Sequence, residues 1–109
     1  EAKIKLLGVK SETLGKYGAV SEQTAMEMAN GVKKLSGSDI AVSLTGIAGP
    51  TGGTEQKPVG LVYLGVAAGK KLYAKKLLLA QHAKKDRGYI RTLALKNALK
   101  TAIDEALEM

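Results

Sequence analysis

Between Thr45 and Gly60 the chain reads TGIAGPTGGTEQKPVG, a stretch that holds five of its 13 glycines and both of its prolines. Residues of this type can do one kind of chemistry. Gly46 and Gly49 lack a Cβ, so main-chain N–H groups can come close to a ligand or turn through positive φ. Thr45 adds a hydroxyl at the end of a strand, where α/β proteins commonly open a ligand crevice. The spacing is not that of a phosphate loop, because no glycine is followed five residues later by Gly-Lys-Ser/Thr. The dinucleotide pattern G-x-G-x-x-G is absent as well, and a strand rather than a helix follows, which removes the helix N-terminus those sites use. A flexible linker fits poorly between two strong strands. From spacing alone, a ligand-facing loop and a plain structural connection both remain open.

A second set of residues bears on anions. Of 17 basic residues, ten fall between Lys70 and Lys100, where Asp86 is the only acid. This stretch is either a solvated lysine-rich surface or an attractor of a nucleotide phosphate, a nucleic acid or an acidic protein face.

The elements that must position these residues follow from periodicity. Leu6 and Leu7 before Gly8 read as a helix end with a glycine cap. SETLGKYG reads as a short helical turn with Ser11 as N-cap and Gly18 as stop. Ser21 caps a longer helix in which Ala25, Met28, Ala29, Val32 and Leu35 share a buried face, ending at SGS, 36–38. Residues 39–47 alternate as a strand, with Ile40, Val42 and Leu44 on one face and the smaller Ala41, Ser43 and Thr45 on the other. Two further strands, 59–68 and 71–80, flank a turn at Gly69-Lys70. A last helix runs from about Arg87 to Glu108 with Ile90, Leu93, Ala94, Ala98 and Ala102 on its main apolar face. The order α-α-β-β-β-α predicts an α/β sandwich.

Composition bounds the rest. The 109 residues fit one domain, 45% hydrophobic with mean hydropathy −0.04 and net charge +7. No apolar run approaches the roughly 18 residues of a membrane span, so a membrane is not an expected partner. Cysteine is absent, which excludes disulfides and thiolate metal sites and agrees with a cytoplasmic location. Phe and Trp are absent, so the stacking platforms of single-strand binders are scarce and nucleic acid is the lesser expectation.

Three segments, EAKIKLLGV at 1–9, TGIAGPTGGTEQKPVG at 45–60 and DRGYIR at 86–91, together resemble the CinA carboxy-terminal domain family, the competence-damage-inducible proteins. KYGAVSEQTAMEMANGV between them is similar to the family's usual run, and the likeness covers all 109 residues in order. The resemblance implies a three-layer α/β/α sandwich on a five-stranded mixed sheet, here a partial version with about three strands. It implies hydrolysis of the carboxamide of nicotinamide mononucleotide to nicotinic acid mononucleotide and ammonia, in pyridine-nucleotide recycling, by a Ser–Lys amidohydrolase without a cofactor or metal. Lys3 matches the family's lysine and is the implied general base. Such a lysine must lose its proton near neutral pH through burial or neighbouring cations. Thr45, Gly46, Ala48 and Gly49 match the strand-end residues that face the substrate, through the Thr45 hydroxyl and backbone groups. Arg87 and Arg91 match the basic residues that open the last helix, and one of them is implied to hold the nucleotide phosphate with its guanidinium fork.

The family pattern begins earlier, with a Glu-Ser-Cys-Thr-Gly-Gly segment that carries the nucleophilic serine and a further strand. Neither is in this sequence. The chain is therefore expected to be a partial domain whose 39–47 strand lacks a neighbour, partnered by its missing amino-terminal fragment or by further copies of itself. The alternative reading is a non-catalytic nucleotide- or nucleic-acid-binding module that uses the basic 70–100 stretch.

Overall fold

The structure is a computed structural model that describes residues 8–47, 57, 60–79 and 87–108, the side chain of Arg87 excepted. Six elements follow in chain order: α1 (Ser11–Tyr17), α2 (Glu22–Ser36), β1 (Ile40–Gly46), β2 (Leu61–Ala68), β3 (Lys71–Leu78) and α3 (Arg87–Glu108). The strands form one sheet in the order β1-β2-β3, antiparallel throughout. The register pairs Ile40 with Ala68, Gly46 with Val62 and Leu61 with Leu78.

Each helix has a local cause. Ser21 stands in extended backbone at the start of α2 and its hydroxyl accepts the Thr24 N–H at 3.1 Å, a side-chain N-cap. Gly37 ends α2 in left-handed backbone, φ 68°, a conformation costly for any residue with a Cβ. Ser11 is not the N-cap of α1. That position is Lys10, and the side chain that satisfies the helix start comes from α2 instead. The Glu27 carboxylate accepts the Lys10 N–H at 2.7 Å and the Thr13 hydroxyl at 2.5 Å.

Side chains alternate across a strand, so the register sorts the sheet into two faces. One carries Ala41, Ser43, Thr45, Gly65 and Ala67 and lies under α2. The other carries Val42, Leu44, Val62, Leu64 and Val66 and lies under α3. The result is helix, sheet, helix. Central β2 is buried along almost its whole length, the pattern of a strand covered on both faces.

The two faces are packed by different means. On the α2 side everything is small. Ala25 and Ala29 are fully buried, and the Ser43 hydroxyl donates to the Ala25 carbonyl at 2.6 Å. A Cβ added at Gly65 would lie 2.0 Å from the Ala25 carbonyl oxygen and 2.5 Å from Ser43 Oγ. The helix backbone therefore rests almost directly on the sheet. Leu35, expected on the buried face of α2, is 69% exposed, because this close approach spans only the first half of the helix. On the α3 side, Leu64, Val66 and Ala68 pack with Ala98, and Val62 with Ile90 and Ala94. The larger β1 residues, Ile40, Val42 and Leu44, stay half-buried while the small ones opposite are buried. Among the described residues β1 has one hydrogen-bonded neighbour, and its outer edge is unpaired.

Two glycines separate close packing from backbone freedom. Gly65→Ala forces a Cβ into main chain that cannot yield, and destabilisation by about 3 kcal/mol is expected. Gly15 in α1 has no atom within 4 Å of an added Cβ and no positive φ. Gly15→Ala is expected to stabilise by about 0.5–1 kcal/mol. Urea midpoints of the two variants check both signs.

Candidate functional site

The loop from Ile47 to Gly60 leaves and re-enters the sheet through defined hydrogen bonds. Ile47 N–H donates to the Leu61 carbonyl at 2.9 Å, Gly60 N–H to Ile47 at 2.7 Å, and Leu79 N–H to Gly60 at 2.8 Å. Three successive carbonyls at the end of α1 hold the surroundings of this loop together. The Tyr17 carbonyl accepts the Lys57 ammonium at 2.8 Å. The Gly18 carbonyl accepts the hydroxyls of Ser21 and Thr24 at 3.0 and 2.7 Å, and the Ala19 carbonyl accepts the Thr45 hydroxyl at 2.6 Å. One chain reversal thus fixes the start of α2, the end of β1 and the far end of the glycine-rich loop.

A pocket of about 280 Å³ opens on the opposite, α3-facing side of the sheet. Leu44, Gly46, Val62, Ile90, Arg91, Ala94 and Leu95 line it. Two of the residues expected to meet a substrate, Gly46 and Arg91, come together here from distant parts of the sequence. Arg91 is exposed, and its guanidinium makes no hydrogen bond or ion pair among the described residues. The walls are otherwise aliphatic. Such a space suits a ligand with a flat apolar ring and one anionic group.

Thr45 stands elsewhere. Its side chain lies on the α2 face, buried, with its hydrogen given to Ala19. Gly46 is glycine for a reason the sequence does not reveal: a Cβ would lie 2.6 Å from the Leu61 carbonyl oxygen and 2.7 Å from Val62 Cγ2. Arg87 is the first residue of α3, one helical turn before Arg91. Lys3, Ala48 and Gly49 lie outside the described residues. Among those described, no three histidine, cysteine, aspartate or glutamate side chains gather as metal ligands would.

The strongest electrostatics lie at the far end of α3. Glu105 is buried against β3, where its carboxylate accepts the Tyr73 hydroxyl and pairs with the Lys71 ammonium at 2.5 Å. The hydrogen bonds from Lys71 and then Tyr73 hold the Glu105 carboxyl below the ordinary glutamate range. The same hydrogen bond to Glu105 raises Lys71, and burial, then the bond to Glu105, push the Tyr73 phenol up to about 12. Lys75 reaches the Thr101 hydroxyl at 3.5 Å, and Lys100 pairs with Asp104 at 3.0 Å. Periodicity alone assigned neither Thr101 nor Glu105 to the inner face of α3, yet both are buried, while Leu93 and Ala102 are only half-buried. The signal that could have found them was the polar row Lys71, Tyr73, Lys75 on alternate positions of β3. These contacts neutralise part of the basic 70–100 stretch within the molecule. No helix among the described residues is long and apolar enough to cross a membrane.

The described residues form a three-layer α/β/α domain with a glycine-bearing pocket at the end of β1. Residues 1–106 match the CinA C-terminal domain, and the chain belongs to that family. It is 60% identical over 99 residues to a CinA-like protein of Kosmotoga olearia, and 54% identical over 99 residues to a competence-damage inducible protein of Thermoanaerobacter pseudethanolicus. Each alignment covers 91% of this chain and 23% of the relative, so the chain spans under a quarter of these curated relatives. Among solved structures it is similar to the competence/damage inducible protein CihA of Agrobacterium tumefaciens, with a TM-score of 0.88 and 40% identity, over 96% of this chain and 62% of that one. A CinA superfamily protein of Klebsiella pneumoniae gives 0.87 and 29%, over 99% and 65%.

The Glu105 cluster predicts a pH profile of stability. Glu105, with a depressed folded pKa, contributes stability above the unfolded glutamate range that is lost as pH falls through its lower folded value. Tyr73 and Lys71 have raised folded values, so their contributions are present at neutral pH. That of Tyr73 is lost as pH rises from about 10 to about 12. Tyr73→Phe removes one hydrogen bond to a charged group. It is expected to cost about 1.5 kcal/mol at pH 7 and to flatten the alkaline limb of a melting-temperature profile.

Proposed function

We propose that this chain forms the nucleotide-binding part of an amidohydrolase that converts nicotinamide mononucleotide and water to nicotinic acid mononucleotide and ammonia, a cytoplasmic step of pyridine-nucleotide recycling. The observation that carries the reading is the meeting of Gly46 and Arg91 in one aliphatic pocket. The pocket walls would hold the pyridine ring, and the exposed Arg91 guanidinium would take the phosphate as a bidentate partner. The Gly46 main chain would lie along the ligand.

In this mechanism a serine Oγ attacks the carboxamide carbon while Lys3, as a neutral amine, takes the serine proton. The proton passes to the departing nitrogen, ammonia leaves, and water hydrolyses the acyl-serine. Backbone N–H groups of the glycine-rich loop at Ala48 and Gly49 would stabilise the oxyanion. The chain's own serines do not suit the attack. Ser43 is buried against Ala25, Ser21 caps α2, Ser36 and Ser38 bond each other at 2.6 Å, and Ser11 opens α1. None of them lines the pocket. The nucleophile is therefore assigned to polypeptide outside residues 1–109.

Two measurements test this. Arg91→Ala is expected to weaken binding of nicotinamide mononucleotide roughly 10- to 100-fold, the loss of a charge-assisted hydrogen bond. Binding of the phosphate-free nucleoside should not change. In protein that includes the serine-bearing segment, Lys3→Ala should abolish ammonia release and leave nucleotide affinity intact. Full turnover after Lys3→Ala would contradict the mechanism.

A further inference from the structure

The pocket has two unlike ends. Ile90 and Ala94 of α3 pack on Val62, which pairs with Gly46, and Ala98 packs on Leu64, which pairs with Leu44. The helix therefore advances over the sheet from the Gly46 end of β1 toward Leu44. Arg91 and Leu95 both line the pocket, one helical turn apart on the same side of α3. Arg91 thus stands nearer Gly46, and Leu95 nearer Leu44. The separation is about 6 Å along the helix and about 7 Å along the strand, a span that one ribose bridges.

The two ends differ in chemistry. The Gly46–Arg91 end offers bare main chain and a cation. The other end is walled by Leu44, Val62, Ala94 and Leu95, and among the described residues it carries no side-chain donor or acceptor. A ring held there gives up water and gains no hydrogen bond, a cost that falls on each polar atom of the ring. Uracil, cytosine and the purines carry several such atoms. A nicotinamide ring carries one polar substituent, and its charge is spread over the ring and balanced within the ligand by the phosphate. The slot therefore selects by the polarity of the base. Its two leucines differ in their part in the fold. Leu44 packs against both core clusters under α3, whereas Leu95 is 57% exposed.

We propose that Leu95 is a specificity-determining residue of this site: with Leu44 it closes an apolar slot that takes a pyridine ring and rejects the hydrogen-bonding bases of ordinary ribonucleotides. The inference rests on the reading of the pocket as a nucleotide site and assigns the choice of base to one side chain. Arg91 holds the phosphate that all these ligands share, so it supplies affinity without choosing between them.

Calorimetric titration with three ligands tests it: nicotinamide mononucleotide, uridine monophosphate and ribose 5-phosphate, which has no base. The wild-type protein should bind the pyridine nucleotide roughly tenfold or more tightly than the uridine nucleotide. Leu95→Gln should weaken the pyridine nucleotide roughly tenfold, narrow the ratio between the two nucleotides, and leave ribose 5-phosphate unchanged. Leu95→Met, apolar and of similar volume, should keep the ratio. Arg91→Ala should weaken all three ligands alike. The unchanged affinity for ribose 5-phosphate shows that a Leu95 variant has kept its fold. A nucleotide ratio unmoved by Leu95→Gln overturns the proposal, and so does an equal loss for all three ligands in that variant. A wild-type protein that binds none of the three, or whose affinity for ribose 5-phosphate survives Arg91→Ala, overturns the nucleotide reading itself and this inference with it.

Discussion

The approach of α2 to the sheet is the constraint on which the remaining structure depends. The Ala25 carbonyl lies where a side chain at Gly65 would be, and the Ser43 hydroxyl bonds to that carbonyl. No side-chain layer separates helix from strand there. This contact decides which face of β1 turns toward α2, because a one-residue slip would push Leu44 into the same space. It also fixes the start of α2 relative to the end of β1. Thr45 can therefore reach the Ala19 carbonyl, and the Tyr17–Ala19 reversal can anchor Lys57 at the far side of the glycine-rich loop.

Once that face is set, the other follows. Leu44, Val62, Leu64 and Val66 must turn toward α3, and Gly46 with them. The helix crosses this face with small residues where the sheet is bulky, and with Thr101 and Glu105 where β3 offers Tyr73 and two lysines. Near the start of α3, the helix and the paired ends of β1 and β2 leave the space that Arg91 overlooks. The pocket is thus a consequence of two unlike helix contacts on one sheet, tight on one side and wider on the other.

Much of this was legible in the sequence. Alternation over 39–47 gave β1 and its small face, the apolar run from Val59 to Ala68 gave a strand, and Ser21 and the glycine at 37 marked the bounds of α2. What escaped was long-range. Glu27 caps α1 from another helix, and no local pattern signals that. Leu35 keeps helical spacing but outruns the sheet beneath it. Periodicity placed Ile90, Ala94 and Ala98 of α3 on the core correctly, but not Thr101 and Glu105, which are buried by partners on β3. At the candidate site, glycine at position 46 reads as access for a ligand, whereas the neighbouring strand also requires it. Thr45 and Gly46 are adjacent in sequence and point to opposite faces of the sheet, the ordinary consequence of strand pleating.

The central claim is that the Gly46–Arg91 pocket is the nucleotide site. The most direct measurement is a titration of the isotopically labelled chain with nicotinamide mononucleotide, followed by the amide resonances of Gly46, Val62, Arg91 and Ala94. The account predicts saturable shifts confined to these residues and their neighbours, with the Lys70–Lys76 turn and strand unmoved. Shifts centred on Lys70–Lys76 that vanish with modest salt would contradict it, and would mark the basic strand as the anion site instead.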